Sequence, residues 1–284
     1  MTKISIFTPV HRTDKLFDLC VESILKQSEI DWEWVILDNT SDLRIKKYFE
    51  DKWLLQNQRF KMFYETRKIK IYEWTKNEKT IGDLKRTAAL LCTGELILEH
   101  DCDDWLDENA LKYLKAADEK YDCDFYYSDW FCMYYDGTET EFIKQDFTHR
   151  PIDKTFVKIP FYKTYLKNYE LSVFGRLEMT YDTFSHFESP LAFRAWKREA
   201  YIMLGGHDIS LNNAEDFELV IRTVLNSNKI CRISFPCCWY LKNDYGVGAK
   251  MPYWKIVKTH TDIMEKYHKE LEDKNVHIIR YIPK

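Results

Sequence analysis

Short apolar runs alternate along the chain with stretches in which apolar residues recur every three or four positions. Ile4–Phe7, Trp34–Leu37 and Leu96–Leu98 are runs of the first kind and read as buried strands. The first is expected to stop at Thr8-Pro9, because proline has no N–H for a ladder. Leu16, Cys20 and Ile24, flanked by Leu19 and Val21, predict a helix between the first two strands, with Thr13 or Asp14 as its cap. Strand, helix and strand at this spacing form a βαβ unit with parallel pairing. Residues 43–60 read as a helical, outwardly polar stretch, and Phe63, Tyr64, Ile69 and Ile71 as strand positions. Thr80 to Asp83 fits a capping box for a helix with Leu84, Ala88 and Leu91 on one face and Gly94 as its C-cap. Asp107 is expected to cap a further helix with Ala110, Leu111 and Leu114 inward.

Phe125–Tyr127 reads as another strand, after which aromatics become dense up to Phe187. Residues 135–185 carry no periodicity that assigns them. Those aromatics fit either core packing or a platform for a sugar or aromatic ligand. Ala192–Tyr201 suggests a strand running into a short helix that Gly205-Gly206 breaks. Asn212–Asp216 opens a helix in which Phe217, Val220, Ile221, Val224 and Leu225 share one face. Ile230–Ser234 and Cys237–Tyr240 resemble closing strands, and Asp244–Gly248 a loop. A helix around Trp254–Tyr267 and a strand at Val276–Tyr281 end the chain. The fold class is therefore α/β, a mainly parallel sheet flanked by helices.

Composition narrows the function. The 284 residues are 45% apolar and 31% charged, as in an ordinary globular protein, and low counts of Gly (8) and Pro (7) argue against disorder. A formal net charge of −4 disfavours nucleic acid as a partner, because phosphate binding wants a basic face. No Cys-x-x-Cys pair occurs, which argues against structural zinc. Cysteines inside apolar runs suggest a reducing, cytoplasmic setting. The opening residues lead straight into a strand with no secretory signal, and no apolar run reaches the length of a transmembrane anchor.

The chemistry concentrates at strand ends. The Leu96–Leu98 strand runs into Asp101, Asp103 and Asp104, and carboxylates this close repel unless a cation joins them. A hard divalent ion with oxygen ligands is the usual partner, although a solvated acidic turn capping a helix fits the same residues. Asp38 ends the second strand. In parallel sheets, ligands gather at such carboxyl ends. Glu215-Asp216 opens a helix, where the positive end of the helix dipole favours ionised carboxylates.

Taken in order, Thr8-Pro9, Asp38, Lys85-Arg86, Asp101-Cys102-Asp103, Gly205-Gly206 and Glu215-Asp216 resemble the motifs of the inverting GT-A glycosyltransferases called family 2. The likeness is good over residues 3–105 and moderate over 190–248. It implies a GT-A, Rossmann-like fold in one domain of residues 1–284. Residues 1–105 would form the nucleotide-sugar-binding half, 106–250 an aromatic-rich acceptor and catalytic half, and 251–284 a closing helix and strand. By the same resemblance, the Thr8-Pro9 backbone and Asp38 face the nucleotide base, Lys85 and Arg86 the diphosphate or the acidic site itself, and Asp101 the ribose region. Asp103, with Asp101, ligates Mn²⁺ or Mg²⁺. Asp216 is the general base beside Glu215. The family's downstream metal-reaching His is replaced here, with Asn243 or Asp244 as substitutes. Trp105 and Trp130 are acceptor candidates. His100 and His207 flank the site as structural or supporting residues.

The implied activity is metal-dependent, inverting transfer of a single sugar, from a UDP-linked donor, to a hydroxyl acceptor such as a glycan. The Gln-x-x-Arg-Trp signature and membrane spans of processive members are absent from the sequence. Two rival functions fit part of the pattern. A sugar-nucleotide nucleotidyltransferase would need a glycine-rich loop after the first strand, where Thr8–Thr13 has no glycine. A non-catalytic nucleotide- or carbohydrate-binding module could keep the same fold.

Overall fold

The structure is a computed structural model that describes residues 3–75, 80–135, 155–159, 169–174, 179–187, 189–190, 192–243 and 250–283. Strands β1 (Ile4–Val10), β2 (Trp32–Asp38), β3 (Ile69–Glu73) and β4 (Leu96–Glu99) pair in parallel in the order β4-β1-β2-β3. Their carboxyl ends therefore share one edge. On the far side of β4, β9 (Arg194–Lys197) runs antiparallel to both β4 and β6 (Phe125–Tyr135). The sheet continues through β10 (Ile230–Asn243) to β11 (Ile278–Tyr281), both parallel. β5 (Trp105–Leu106) adds to β10, while β7 (Thr155–Ile159) and β8 (Tyr169–Phe174) form a hairpin on β6. The expected mixed, mainly parallel sheet is present.

Alternation along the strands divides the core between two faces. Ile4, Ile6, Trp34 and Ile36 pack with α1 (Lys15–Leu25) on one side, and Phe7, Val35 and Leu37 pack with Leu84 and Ala88 on the other. Asp14 caps α1, accepting from the N–H groups of Leu16 and Phe17. Helices α5 (Ile81–Leu90), α9 (Glu215–Asn226) and α10 (Tyr253–Glu272) contribute to the second face. Helix α6 (Ala110–Tyr121) contributes to the first. No helix among the described residues is long and apolar enough to cross a membrane.

Several local expectations change. β1 passes through Pro9 to Val10. Val10 O accepts from Asn39 N–H on the β2 side, whereas Phe7 O accepts from His100 N–H on the β4 side. By alternation Pro9 faces the β4 side, where β4 has already ended at Glu99, so its missing N–H costs no ladder bond. Residues 45–65 form α2 (Ile45–Tyr48), a π turn (Phe49–Trp53), α3 (Leu54–Gln56) and α4 (Gln58–Glu65), so Phe63 and Tyr64 are helical rather than extended. Asn57 breaks the run and caps α4 through Phe60 N–H. Gly94 is not the cap of α5, which closes at Leu91. Instead a Cβ on Gly94 would lie 2.6 Å from Lys3 O, so this glycine permits close passage beside β1. Asp107 caps the turn before α6, accepting from Asn109 N–H at 2.9 Å. The two closing strands are one, β10, bulged around Pro236. Helices α7 (Tyr181–Ser185) and α8 (Arg198–Met203) complete the set.

Candidate active site

The acidic strand end of β4 and the start of α9 meet through two buried cations. Lys85, on the inner face of α5, places Nζ 2.6 Å from Glu99 Oε1, 2.8 Å from Glu215 Oε1 and 3.5 Å from Asp101 Oδ1. Arg194, the first residue of β9, stands opposite Glu99 in the antiparallel β4–β9 register. Its Nη2 and Nε reach Glu99 at 2.7 and 3.3 Å, and its Nη1 reaches Asp216 Oδ2 at 2.7 Å and Pro190 O at 2.9 Å. His207 Nε2 lies 3.3 Å from Glu99 Oε2, with Nδ1 2.8 Å from the Tyr201 hydroxyl. Four elements, α5, β4, β9 and α9, are thus tied by charge-assisted bonds.

The electrostatics follow from this arrangement. Burial opposes the charge of Lys85, but Asp101, Glu215, Glu99 and Asp216 outweigh it and raise its pKa well above the usual lysine value. Burial would raise Glu99, yet Arg194, Lys85 and His207 hold it well below the carboxylate range. The adjacent pair on α9 is split. Burial, helped by Asp216, pushes Glu215 up, while Arg194 and Lys85 overcome burial and pull Asp216 down. Asp216 keeps 25% of its side chain exposed, against 6% for Glu215. Of the two, Asp216 is the carboxylate exposed enough to meet a reactant.

Helix α9 is aimed by a loop pinned to α5. Thr80 Oγ1 donates to Ile209 O and accepts from Asp83 N–H, Gly82 N–H donates to Leu211 O, and Ile81 N–H donates to Asn212 Oδ1. Gly205 and Gly206 both take positive φ, at 82° and 69°, so the turn out of α8 suits residues without a Cβ. Ala214 also adopts the left-handed region, at φ 55°, immediately before Glu215.

The other anticipated residues are placed as follows. Asp38 is buried at the end of β2; its Oδ1 accepts from Thr40 N–H and Oγ1–H, and its Oδ2 from Ile45 N–H. Thr8 is buried, and its hydroxyl accepts from Trp34 Nε1–H at 3.0 Å. Arg86 is half-buried on α5. Asp103 follows Asp101 on the β4 edge, in the electrostatic range of Arg12 and His11. Asn243 ends β10 opposite Tyr135, and Asp244 lies outside the described residues. Trp105 and Trp130 are 1% and 2% exposed, and Trp105 stacks on Trp239 at 6.0 Å. Contrary to expectation, these indoles pack inward and offer no face to a sugar. Of the two pairings expected for Lys85, the structure places it on the acidic site, among Glu99, Glu215 and Asp101.

Glu99 and Arg194 join the site although neither lies in one of the motifs read from the sequence. Their signal was a charge in an inward position of an apolar strand, Leu96–Glu99 and Ala192–Trp196. His207, expected beside the site, is fully buried between Glu99 and Tyr201.

The residues present suit a hard cation. Carboxylates outnumber the cations in this cluster, and the Asp101 side chain is 38% exposed beside Asp103. No group of three or more His, Cys, Asp or Glu among the described residues could by itself hold a metal. A hard divalent ion can also be held by one or two carboxylates together with phosphate oxygens and water.

A mixed α/β sheet with acidic residues at its strand ends suits several classes of enzyme, and likeness to known proteins decides among them. The chain belongs to glycosyl transferase family 2, whose pattern matches residues 5–177. The fold is similar to that of S. aureus TarS 1–349 in complex with UDP-GlcNAc, with a TM-score of 0.64, 15% identity, and coverage of 97% of this chain and 68% of that one. It also resembles the mannosyltransferase PcManGT from Pyrobaculum calidifontis in complex with GDP-Man and Mn²⁺, with a TM-score of 0.56, 15% identity, and coverage of 97% and 66%. GalNAc-T7 with UDP, GalNAc and Mn²⁺ matches at a TM-score of 0.59 and 13% identity, with 93% of this chain covering 48% of that one. The present chain thus spans about half the length of GalNAc-T7. No curated protein matches the sequence.

Proposed function

We propose that this chain transfers a single sugar, with inversion, from a UDP-linked donor to the hydroxyl of an acceptor such as a glycan, using Mn²⁺ or Mg²⁺. The observation that carries the reading is the ionised, partly exposed Asp216 on the same charge network as Asp101. Asp216 takes the proton of the attacking hydroxyl, a role worth about 10²–10⁴-fold in rate. Its depressed pKa keeps it able to accept at neutral pH. Asp101 and Asp103 face the donor, and the strand-end residues Thr8, Pro9 and Asp38 line the base side. A divalent cation held by Asp103, with Asp101 beside it, would offset the charge that grows on the diphosphate leaving group. Lys85 offsets the charge of Glu99 and Glu215, so that these carboxylates can lie buried together. The UDP complexes of TarS and GalNAc-T7 favour a uridine donor, and the Mn²⁺ complexes of PcManGT and GalNAc-T7 favour a metal. Residues 106–250 would supply the acceptor side.

The test combines binding and turnover. UDP, GDP and their sugars are screened by thermal shift with and without Mn²⁺; a nucleotide at about 100 times its Kd stabilises by about 2.7 kcal/mol. Asp103→Ala is expected to abolish the metal-dependent part of the shift. Asp216→Asn is expected to keep the shift and lose transfer. Full transfer retained by both variants would overturn the assigned mechanism. Binding without transfer or donor hydrolysis across the whole panel would favour a binding module instead.

A further inference from the structure

Arg194 spends all three of its guanidinium nitrogens inside the protein. Nε and Nη2 grip Glu99 at 3.3 and 2.7 Å, and Nη1 is shared by Asp216 Oδ2 and Pro190 O at 2.7 and 2.9 Å. The side chain is 2% exposed, as is that of Glu99. A guanidinium is planar, so a two-point grip on one carboxylate fixes the direction of its remaining N–H groups. That grip is itself set by strand register, since Glu99 and Arg194 are direct cross-strand partners on β4 and β9. The other oxygen of Asp216 accepts from Phe217 N–H at 2.8 Å. Each oxygen of Asp216 is therefore held by one donor, one from the central sheet and one from its own helix.

We propose that Arg194, oriented by Glu99, is a positioning residue for Asp216, aiming its carboxylate at the attacking hydroxyl. This rests on Asp216 being the base. It goes further in assigning the aim of that base to a residue of the sheet and not to helix α9 alone. Arg194 makes no contact with a reactant in this role. It presets one lone pair of Oδ2 with a hydrogen bond and leaves the rest of the carboxylate to receive the proton. Lysine at this place could neutralise Asp216 or Glu99 but could not grip both in one plane. The grip also places the donor strand and the base helix in one rigid unit, because Glu99 lies two residues before Asp101.

The experiment measures release of UDP or GDP from UDP-GlcNAc and GDP-mannose by the full chain with Mn²⁺, for wild type, Arg194→Met, Arg194→Lys, Glu99→Gln and Asp216→Asn. The UDP-induced thermal shift is followed in parallel. Misplacing a reacting group by about 1 Å can cost about 10²-fold, so Arg194→Met is expected to lose about 10- to 100-fold in kcat. Its donor KM and UDP shift should stay within about twofold, because Arg194 does not face the donor. Arg194→Lys should recover only part of kcat, and Glu99→Gln should lower kcat in the same sense. Should Arg194→Met fail to give a cooperative melt, Arg194→Lys and Glu99→Gln carry the test. Wild-type kcat in either of them, with Asp216→Asn inactive, overturns the inference while leaving the base in place. Wild-type turnover in Asp216→Asn overturns the base assignment and this inference with it.

Discussion

Lys85 Nζ lies 2.8 Å from Glu215 Oε1, with both side chains at most 7% exposed, so a single buried ion pair ties α5 to the first residue of α9. A buried charge left without its partner is far costlier than the pair is stabilising. Lys85→Met leaves Glu215 without its cation, and leaves Glu99 to Arg194 and His207. The expected loss is about 3–5 kcal/mol of folding free energy, read by urea or thermal denaturation. Adding Glu215→Gln to that variant should recover part of it. A loss below about 1 kcal/mol for Lys85→Met would show that the pair is not held as described.

Gly82 lets the 208–212 loop dock on α5. A Cβ built there would lie 1.9 Å from Asp208 O and 2.8 Å from its carbonyl carbon, a clash with backbone that cannot rotate away. Gly82→Ala is expected to destabilise by about 1–3 kcal/mol, although alanine is the better helix former. Because the same loop leads to Asp216, sugar transfer should fall as well. Unchanged melting temperature and activity in Gly82→Ala would contradict this docking.

Asp38 has a structural duty whatever else it binds. Its carboxylate accepts from Thr40 and from Ile45 N–H at 2.8 Å, closing the turn that starts α2. Asp38→Ala should cost about 0.5–2 kcal/mol, the usual loss for such a cap. If Asp38 also receives the nucleotide base, the variant should lose UDP affinity beyond what its lowered stability explains, as measured by calorimetry well below its melting temperature.

Glu33 makes acid stability a test of the other end of the sheet. Burial raises its pKa, but hydrogen bonds from Lys70, Ser5, Lys3 and Thr93 N–H prevail and hold it far below the usual carboxylate range. Its folded pKa is therefore lower than its unfolded value of about 4.3. The unfolded state takes up the proton first, so this contribution is complete above about pH 5 and is lost as pH falls through 4 and below. Glu33→Gln should melt lower than wild type at pH 7 and show a shallower fall between pH 5 and 3. Parallel melting-temperature curves for the two proteins would refute the pairing.

Much of the frame was legible because it is written in local periodicity. The runs at Ile4, Trp34 and Leu96 needed no distant partner to be read as strands, nor did the amphipathic pattern from Phe217 to Leu225 as a helix. Phe63 and Tyr64 are helical and not extended because a short aromatic pair suits strand and helix alike, and Asn57 caps a new helix just before them. Pro9 stays inside a strand because the rule against proline there depends on which neighbour its missing N–H would face.

The sequence by itself determined the order of the acidic strand end, the glycine turn and the helix-borne carboxylates, and with it the glycosyltransferase frame. Only the tertiary structure decided which charges meet. Glu99 and Arg194 stand 95 positions apart in the chain and become partners solely through the β4–β9 register. The same long-range packing turns Lys85 inward and buries Trp105 and Trp130. A residue type states what a side chain can do, but its partner depends on strand order and register, which local patterns do not encode.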